Sequence, residues 1–139
     1  MIVSMHVATG AAAGAAVGSR LGALALGPIL HLVGDRIPHQ DIASRNFEIA
    51  SGVAGVLLIA AMRAPLDPAV VGALAASAPD LEHVLPFPRP GGRKLFPSHR
   101  KPGLHRLGGV PAWLQLLLAG AILGWLAAPR RRTGASLTA

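Results

Sequence analysis

Two histidine–carboxylate pairs have the spacing that a metal ion needs. His31 and Asp35 stand four residues apart, and Asp80 and His83 three apart. On a helix both spacings put the two side chains on one face, where they can share a cation. Two such pairs from different helices make a mixed nitrogen and oxygen donor set suited to a divalent metal, zinc first and manganese second. His6, His99 and His105 are further candidates to complete or support the ligand shell. Glu82 and Asp41 are the candidate general bases. His39, Asp41 and Glu48 are otherwise expected to support the ligands or the fold. For any one of these residues alone, capping a helix end is the plainer expectation. For the two pairs together, a metal is favoured.

A basic stretch follows the second pair: Arg89, Arg93, Lys94, Arg100, Lys101 and Arg106, with Phe87 and Phe96 between them. Beside a metal, Arg100 and Arg106 can steady an anionic group such as a phosphate or a lipid headgroup. The same charges also read as the cytoplasmic flank of a membrane protein.

Five apolar segments must position these groups: about Ile2–Ser19, Leu21–Gly34, Phe47–Met62, Asp67–Pro79 and Pro111–Ala128. They predict an all-α bundle of about five short helices, with one long irregular loop over Val84–Val110 that is rich in Pro and Gly. Each segment falls short of the ~20 residues that cross a bilayer comfortably. They are therefore crossings of a thinned bilayer, a re-entrant hairpin, or buried helices of a soluble bundle. The last is the best single span, with Trp113 and Trp125 near its ends and Arg130, Arg131 and Arg132 beyond it. The first lacks the basic start of a signal peptide and reads as a retained helix. Gly10, Gly14 and Gly18, and again Gly120 and Gly124, recur every four residues, a spacing that lets helices approach closely in lipid.

Threaded up and down, the segments bring every His and five of the six acids to one face, leaving Asp67 on the other. Arg36 and Arg45 join that face, against Arg20, Arg63 and the terminal Arg run opposite, which places the face in the cytoplasm.

Composition agrees with a membrane protein. The 139 residues fit one domain, 52% are hydrophobic and only 14% charged, about half the charged share of a soluble protein. With no Cys, disulfides, thiolate zinc sites and Fe–S clusters are excluded. The net charge of +7 fits anionic lipid or a phosphoester substrate, and with no Tyr and few other aromatics, nucleic acid is not expected as a partner.

The stretch Pro79-Asp80-Leu81-Glu82-His83, followed by Ser98-His99-Arg100 and His105, resembles the PDxDH and HRG-x-THS signatures of the YdjM-like family. His6 resembles that family's early His. His31-Leu32-Val33-Gly34-Asp35, continuing to Pro38, His39 and Asp41, looks like the H-x-x-x-D-x-x-P-H element of related membrane proteins. Glu82 replaces the second Asp, the gap from His99 to His105 is one residue longer, and the HxxxD element comes early. The phosphatidic-acid-phosphatase pattern does not fit, because no Arg precedes His31 at the required distance.

The resemblance implies a small multi-pass inner-membrane protein with metal-dependent hydrolase activity. The residues are compatible with that reading, acting on a lipid or other amphipathic substrate. The alternatives are a non-catalytic membrane scaffold, whose polar cluster is structural, and a metal carrier. A cluster at one helix end rather than mid-span disfavours the carrier.

Overall fold

A computed structural model describes residues 1–129. The terminal Arg130–Arg132 run and its expected stop signal lie outside the described residues. The described chain is helical, without strands: α1 (Val3–Val17), α2 (Arg20–Arg36), α3 (Arg45–Met62), α4 (Pro68–Ser77), α5 (Pro97–Arg100) and α6 (Ala112–Ala127).

Local chemistry sets these boundaries. Gly18 ends α1 in the left-handed region (φ 68°), its N–H bonding Gly14 O. Ser19 caps α2, Ser44 caps α3, and Asp67 caps α4 ahead of Pro68 at the first helical position. Pro79 supplies no N–H to continue the ladder, so α4 tightens into a 3-10 turn over Ala78–His83. There residues three apart eclipse, which keeps Asp80 and His83 on one side.

The loop after His83 is less irregular than its composition implies. It holds a turn at Pro90–Gly92 and the one-turn α5, which Pro97 starts. Its last third is zipped to the turn after α2. Arg106 N–H donates to Asp35 O (2.9 Å), His39 N–H to Arg106 O (3.1 Å), and Gln40 N–H to Val110 O (2.9 Å).

The core is built of small residues. Val7, Ala8 and Ala11 of α1 meet Ala69, Val70 and Ala73 of α4, with Ile59 of α3 and Ala119, Leu123 and Leu126 of α6. Where α1 crosses α4 the backbones touch: a Cβ on Gly10 would collide with Gly72 O, and one on Gly72 with Gly10 O. Gly14 packs likewise on Pro68. The expected close approach at α6 is not seen, since Gly120 and Gly124 face open space. Large apolar side chains instead point outward, among them Leu21, Leu57, Leu117, Trp113 and Trp125. Among the described residues, α3 is long and apolar enough to cross a membrane, while α1 and α6 are shorter apolar helices.

Candidate metal centre

The polar residues converge at the end of the bundle that holds the start of α1, the end of α2 and the 3-10 turn after α4. His31, on the last turns of α2, is fully buried, and its Nδ1 lies 2.8 Å from Ala76 O. A carbonyl only accepts, so Nδ1 carries the proton and Nε2 presents a bare lone pair. His99, on α5, is held in the same way: its Nδ1 donates to Glu82 Oε1 at 2.6 Å, leaving Nε2 free. The two lone-pair nitrogens face each other at 3.2 Å. Asp35 Oδ2 lies 3.3 Å from His31 Nε2 and 3.6 Å from His99 Nε2. Asp80 Oδ1 lies 3.7 and 3.6 Å from the same two nitrogens.

These separations fit a cation. A tetrahedral zinc site with bonds of about 2.0–2.1 Å has donor–donor edges of roughly 3.3–3.4 Å. Two lone pairs and two carboxylate oxygens repel one another unless a proton or a metal lies between them. Asp80 Oδ2 and His6 Nδ1 are also buried without a hydrogen-bond partner, which leaves them open to a cation or a water. These buried His and Asp groups could hold a metal ion.

A second group adjoins the first through Asp35. His39 Nδ1 is 2.6 Å from Ile37 O, so its Nε2 is the bare nitrogen, and it faces His105 Nε2 at 3.2 Å. Asp41 rims the group, 3.1 Å from His39 and 3.3 Å from His105. The Met1 nitrogen lies 2.8 Å from Asp35 Oδ1 and in contact with His39 Nε2. Around Asp35, Ser98 Oγ donates to Oδ2 at 2.6 Å and His6 Nε2 sits 3.2 Å from Oδ1. His6 also stacks on His31, ring centroids 3.8 Å apart.

The outer groups titrate as their surroundings dictate. Hydrogen bonds with Asp35 and Asp41 push His105 up to about 9. The two imidazoles of His105 and His39 hold Asp41 well below the usual carboxylate range. Burial pushes Asp80 up to about 6 and His83 down to about 4. Burial alone would raise Glu82 too, but hydrogen bonds from Leu95 N–H, His99 and Phe96 N–H outweigh it and leave it lowered.

Most candidates named from the sequence meet here: His6, His31, Asp35, Asp80, His99 and His105 lie in one contiguous cluster. His83 joins Asp80 and His99 in a further group of donors within 4.8 Å of one another, its ring 4.3 Å from that of His99 and its Nδ1 taking a hydrogen bond from Lys94 Nζ at 3.0 Å. Glu82 is placed behind His99 rather than in front of the donors. Its oxygens accept from Leu95 N–H, Phe96 N–H and His99, so it positions His99, and it is buried and does not line the cleft. Glu48 bonds Val3 N–H and Ile42 N–H and closes the start of α1. Arg100 is exposed in a polar hollow with Arg93, Lys94 and Lys101 beside His99. Arg106 is exposed, and its backbone ties the loop to α2.

Three contributors were not read as part of the centre. His39, expected as outer support, is fully buried with a free nitrogen in the cluster. Its signal was the continuation of the HxxxD element. Ser98 is the serine before His99. Gln115, from α6, bonds Ile2 N–H, Gln40 O and Val110 O, and an amide within so apolar a helix was its only clue.

An apolar cleft of about 600 Å³ leads to the cluster. Val3, Ile49, Val53, Val56 and Leu57 line its length with Leu74 and Leu81, and Asp41, Asp80, His83, His99 and His105 stand at its polar end. No family model, curated protein or solved structure matches the chain.

Proposed function

We propose that the protein is a multi-pass membrane protein with metal-dependent hydrolase activity toward a lipid or other amphipathic ester or phosphoester. The observation that carries this reading is the convergence of His31 Nε2, His99 Nε2, Asp80 Oδ1 and Asp35 Oδ2 at the polar end of an apolar cleft. Outward Leu, Ile and Trp side chains around a core of Ala and Gly support placement in lipid, where large apolar groups face the solvent. The Arg-rich loop beside the cluster supports a cytoplasmic site face.

His31, His99, Asp80 and Asp35 would hold the metal, zinc or manganese by donor type. A bound divalent ion supplies Lewis-acid polarisation of the scissile bond and lowers the pKa of water. The cleft takes the apolar chain of the substrate and excludes water from it. Glu82 and Ala76 O fix the His99 and His31 rings with their free nitrogens forward. Asp41, at the rim, is the carboxylate left to accept the proton of the attacking water and pass it to the leaving oxygen. Arg100 steadies a departing anionic group.

Metal analysis of detergent-purified protein tests this, followed by a panel of lipid and phosphoester substrates with added Zn²⁺ or Mn²⁺. Stoichiometric metal and turnover that both disappear in His31→Ala and Asp80→Ala are expected. Absence of metal, with both variants behaving as wild type, would sink the hydrolase. A non-catalytic scaffold is the second reading, in which the contacts of Asp35 with His6, His31 and Ser98 serve only to hold the helix ends together. Metal without turnover on any substrate would support that alternative.

A further inference from the structure

The cluster contains two separate pairs of opposed imidazole nitrogens, and each pair can take a cation between its rings. His31 and His99 form one pair, and His39 and His105 the other, with Nε2 to Nε2 separations of 3.2 Å in both. In three of the four rings Nδ1 donates to an oxygen that only accepts, namely Ala76 O, Glu82 Oε1 and Ile37 O. In the neutral rings their Nε2 atoms are therefore the lone-pair nitrogens.

The two pairs fall into separate donor groups. Bonds of about 2.0–2.1 Å to a single ion require all its donors to lie within roughly 4.2 Å of one another. His31, Asp35 and His99 form one group of donor atoms that all lie within 4.8 Å of one another, and Asp35, His39 and His105 form another. Asp35 alone belongs to both. Its Oδ2 lies 3.3 Å from His31 Nε2 and 3.6 Å from both His99 Nε2 and His105 Nδ1, while its Oδ1 bonds the Met1 nitrogen, which touches His39.

We infer that the protein binds two divalent cations bridged by the Asp35 carboxylate, the second in the pocket of His39 and His105. This rests on the hydrolase reading only for its use, not for its geometry. The two pockets differ in kind. The first is built around the fully buried His31, whereas the second has the partly exposed His105 and, on its rim toward the cleft, Asp41. An open position is the mark of a catalytic metal, so the second pocket is where a substrate oxygen would be taken, with Asp41 beside it. Paired ions about 3.5–4 Å apart suit the clamping of an ester or phosphoester group.

The test is metal stoichiometry by mass spectrometry of the full chain loaded with Zn²⁺, together with electron paramagnetic resonance of the Mn²⁺ form. Wild type is expected to hold two ions per chain with a spin-coupled manganese signal. His39→Ala and His105→Ala should each retain one ion and give an uncoupled signal, and Asp35→Asn should lose the coupling. His105 is one-third exposed, so its variant removes a ligand while leaving the buried side intact if His39→Ala fails to fold. One ion per chain in saturated wild type, with the Met1 nitrogen left as the only partner of the second pocket, would overturn the inference. So would two ions retained in His105→Ala. Two ions without turnover would refute the hydrolase and leave the paired site standing. Turnover with one ion would do the reverse.

Discussion

Replacing Glu82 by Gln separates two roles that the same residue could play. The carboxylate is buried and accepts from three donors: Oε1 from His99 Nδ1 (2.6 Å) and Phe96 N–H (3.2 Å), Oε2 from Leu95 N–H (2.5 Å). Gln keeps the shape but has one acceptor oxygen. If that oxygen faces His99, the new NH₂ group meets Leu95 N–H. If it faces Leu95, both His99 and Phe96 lose their acceptor. At least one buried donor is orphaned, costing about 1–3 kcal/mol. Loss of the charge behind His99 also makes its Nε2 a poorer ligand. Outer partners of this type are worth roughly 10–100-fold in metal affinity, or about 1.4–2.8 kcal/mol. Glu82→Gln should therefore weaken zinc binding in a chelator competition and lower the thermal midpoint of the metal-free protein. A general base would behave otherwise: turnover would fall by about 10²–10⁴ while zinc affinity stayed intact. Unchanged zinc affinity in the Gln variant would refute the placement of Glu82 as the residue that positions His99.

Two further outcomes follow from packing and charge. A Cβ added at Gly27 would lie 2.7 Å from Ala76 N, one turn before His31, whose Nδ1 grips Ala76 O; Gly27→Val should push α2 off α4 and weaken zinc binding, while Gly120→Ala, which faces open space, should leave binding and thermal midpoint unchanged. Above pH 6.5 the metal-free protein should lose stability as pH rises, because His105 favours its protonated form while the lowered His83, Asp41 and Glu82 titrate below that range. His105, raised from an ordinary 6.5 to about 9, contributes fully below 6.5 and loses its contribution as pH climbs through about 9. Asp80, raised from 3.8 to about 6, contributes fully below 3.8 and loses its contribution through about 6. Zinc replaces those protons, so thermal midpoints of the loaded protein should be flatter from about pH 6.5 to 9, and a metal-free midpoint that rises over that range would contradict the assignment.

The helices and the pairing of His31 with Asp35 were legible because both follow from local period and spacing. Asp80 and His83 were legible for the same reason, although the element that carries them is a 3-10 turn. What could not be read was orientation. Glu82 lies between Asp80 and His83 in sequence, yet its side chain turns to the backbone of Leu95 and Phe96, a contact across thirteen residues of loop. His39 follows a proline outside any helix, and only the strand-like zipper with Arg106 and Val110 turns it inward. The glycine spacings were equally visible in α1 and α6, but a partner backbone exists for α1 alone. Spacing shows which face a residue shares, whereas long-range contacts decide what that face meets.

Packing and chemistry are coupled through the size of the core residues. His31 reaches Ala76 O only because Gly27 and Ala75 let α2 lie against α4. The 3-10 turn of Asp80 follows directly from that α4, and Gly10 and Gly72 set how closely α1, with His6, approaches it. Larger core residues would widen these gaps beyond the 3.2–3.7 Å separations among the four donors of the first pocket. A core of Ala and Gly buries little apolar surface per residue, and in water such a bundle would be weakly held while exposing Leu21, Leu117 and Trp125. In lipid neither feature is a liability, because close backbone packing drives association and the outward side chains are solvated. The small residues that bring the donors together are thus the same ones that the proposed membrane placement calls for.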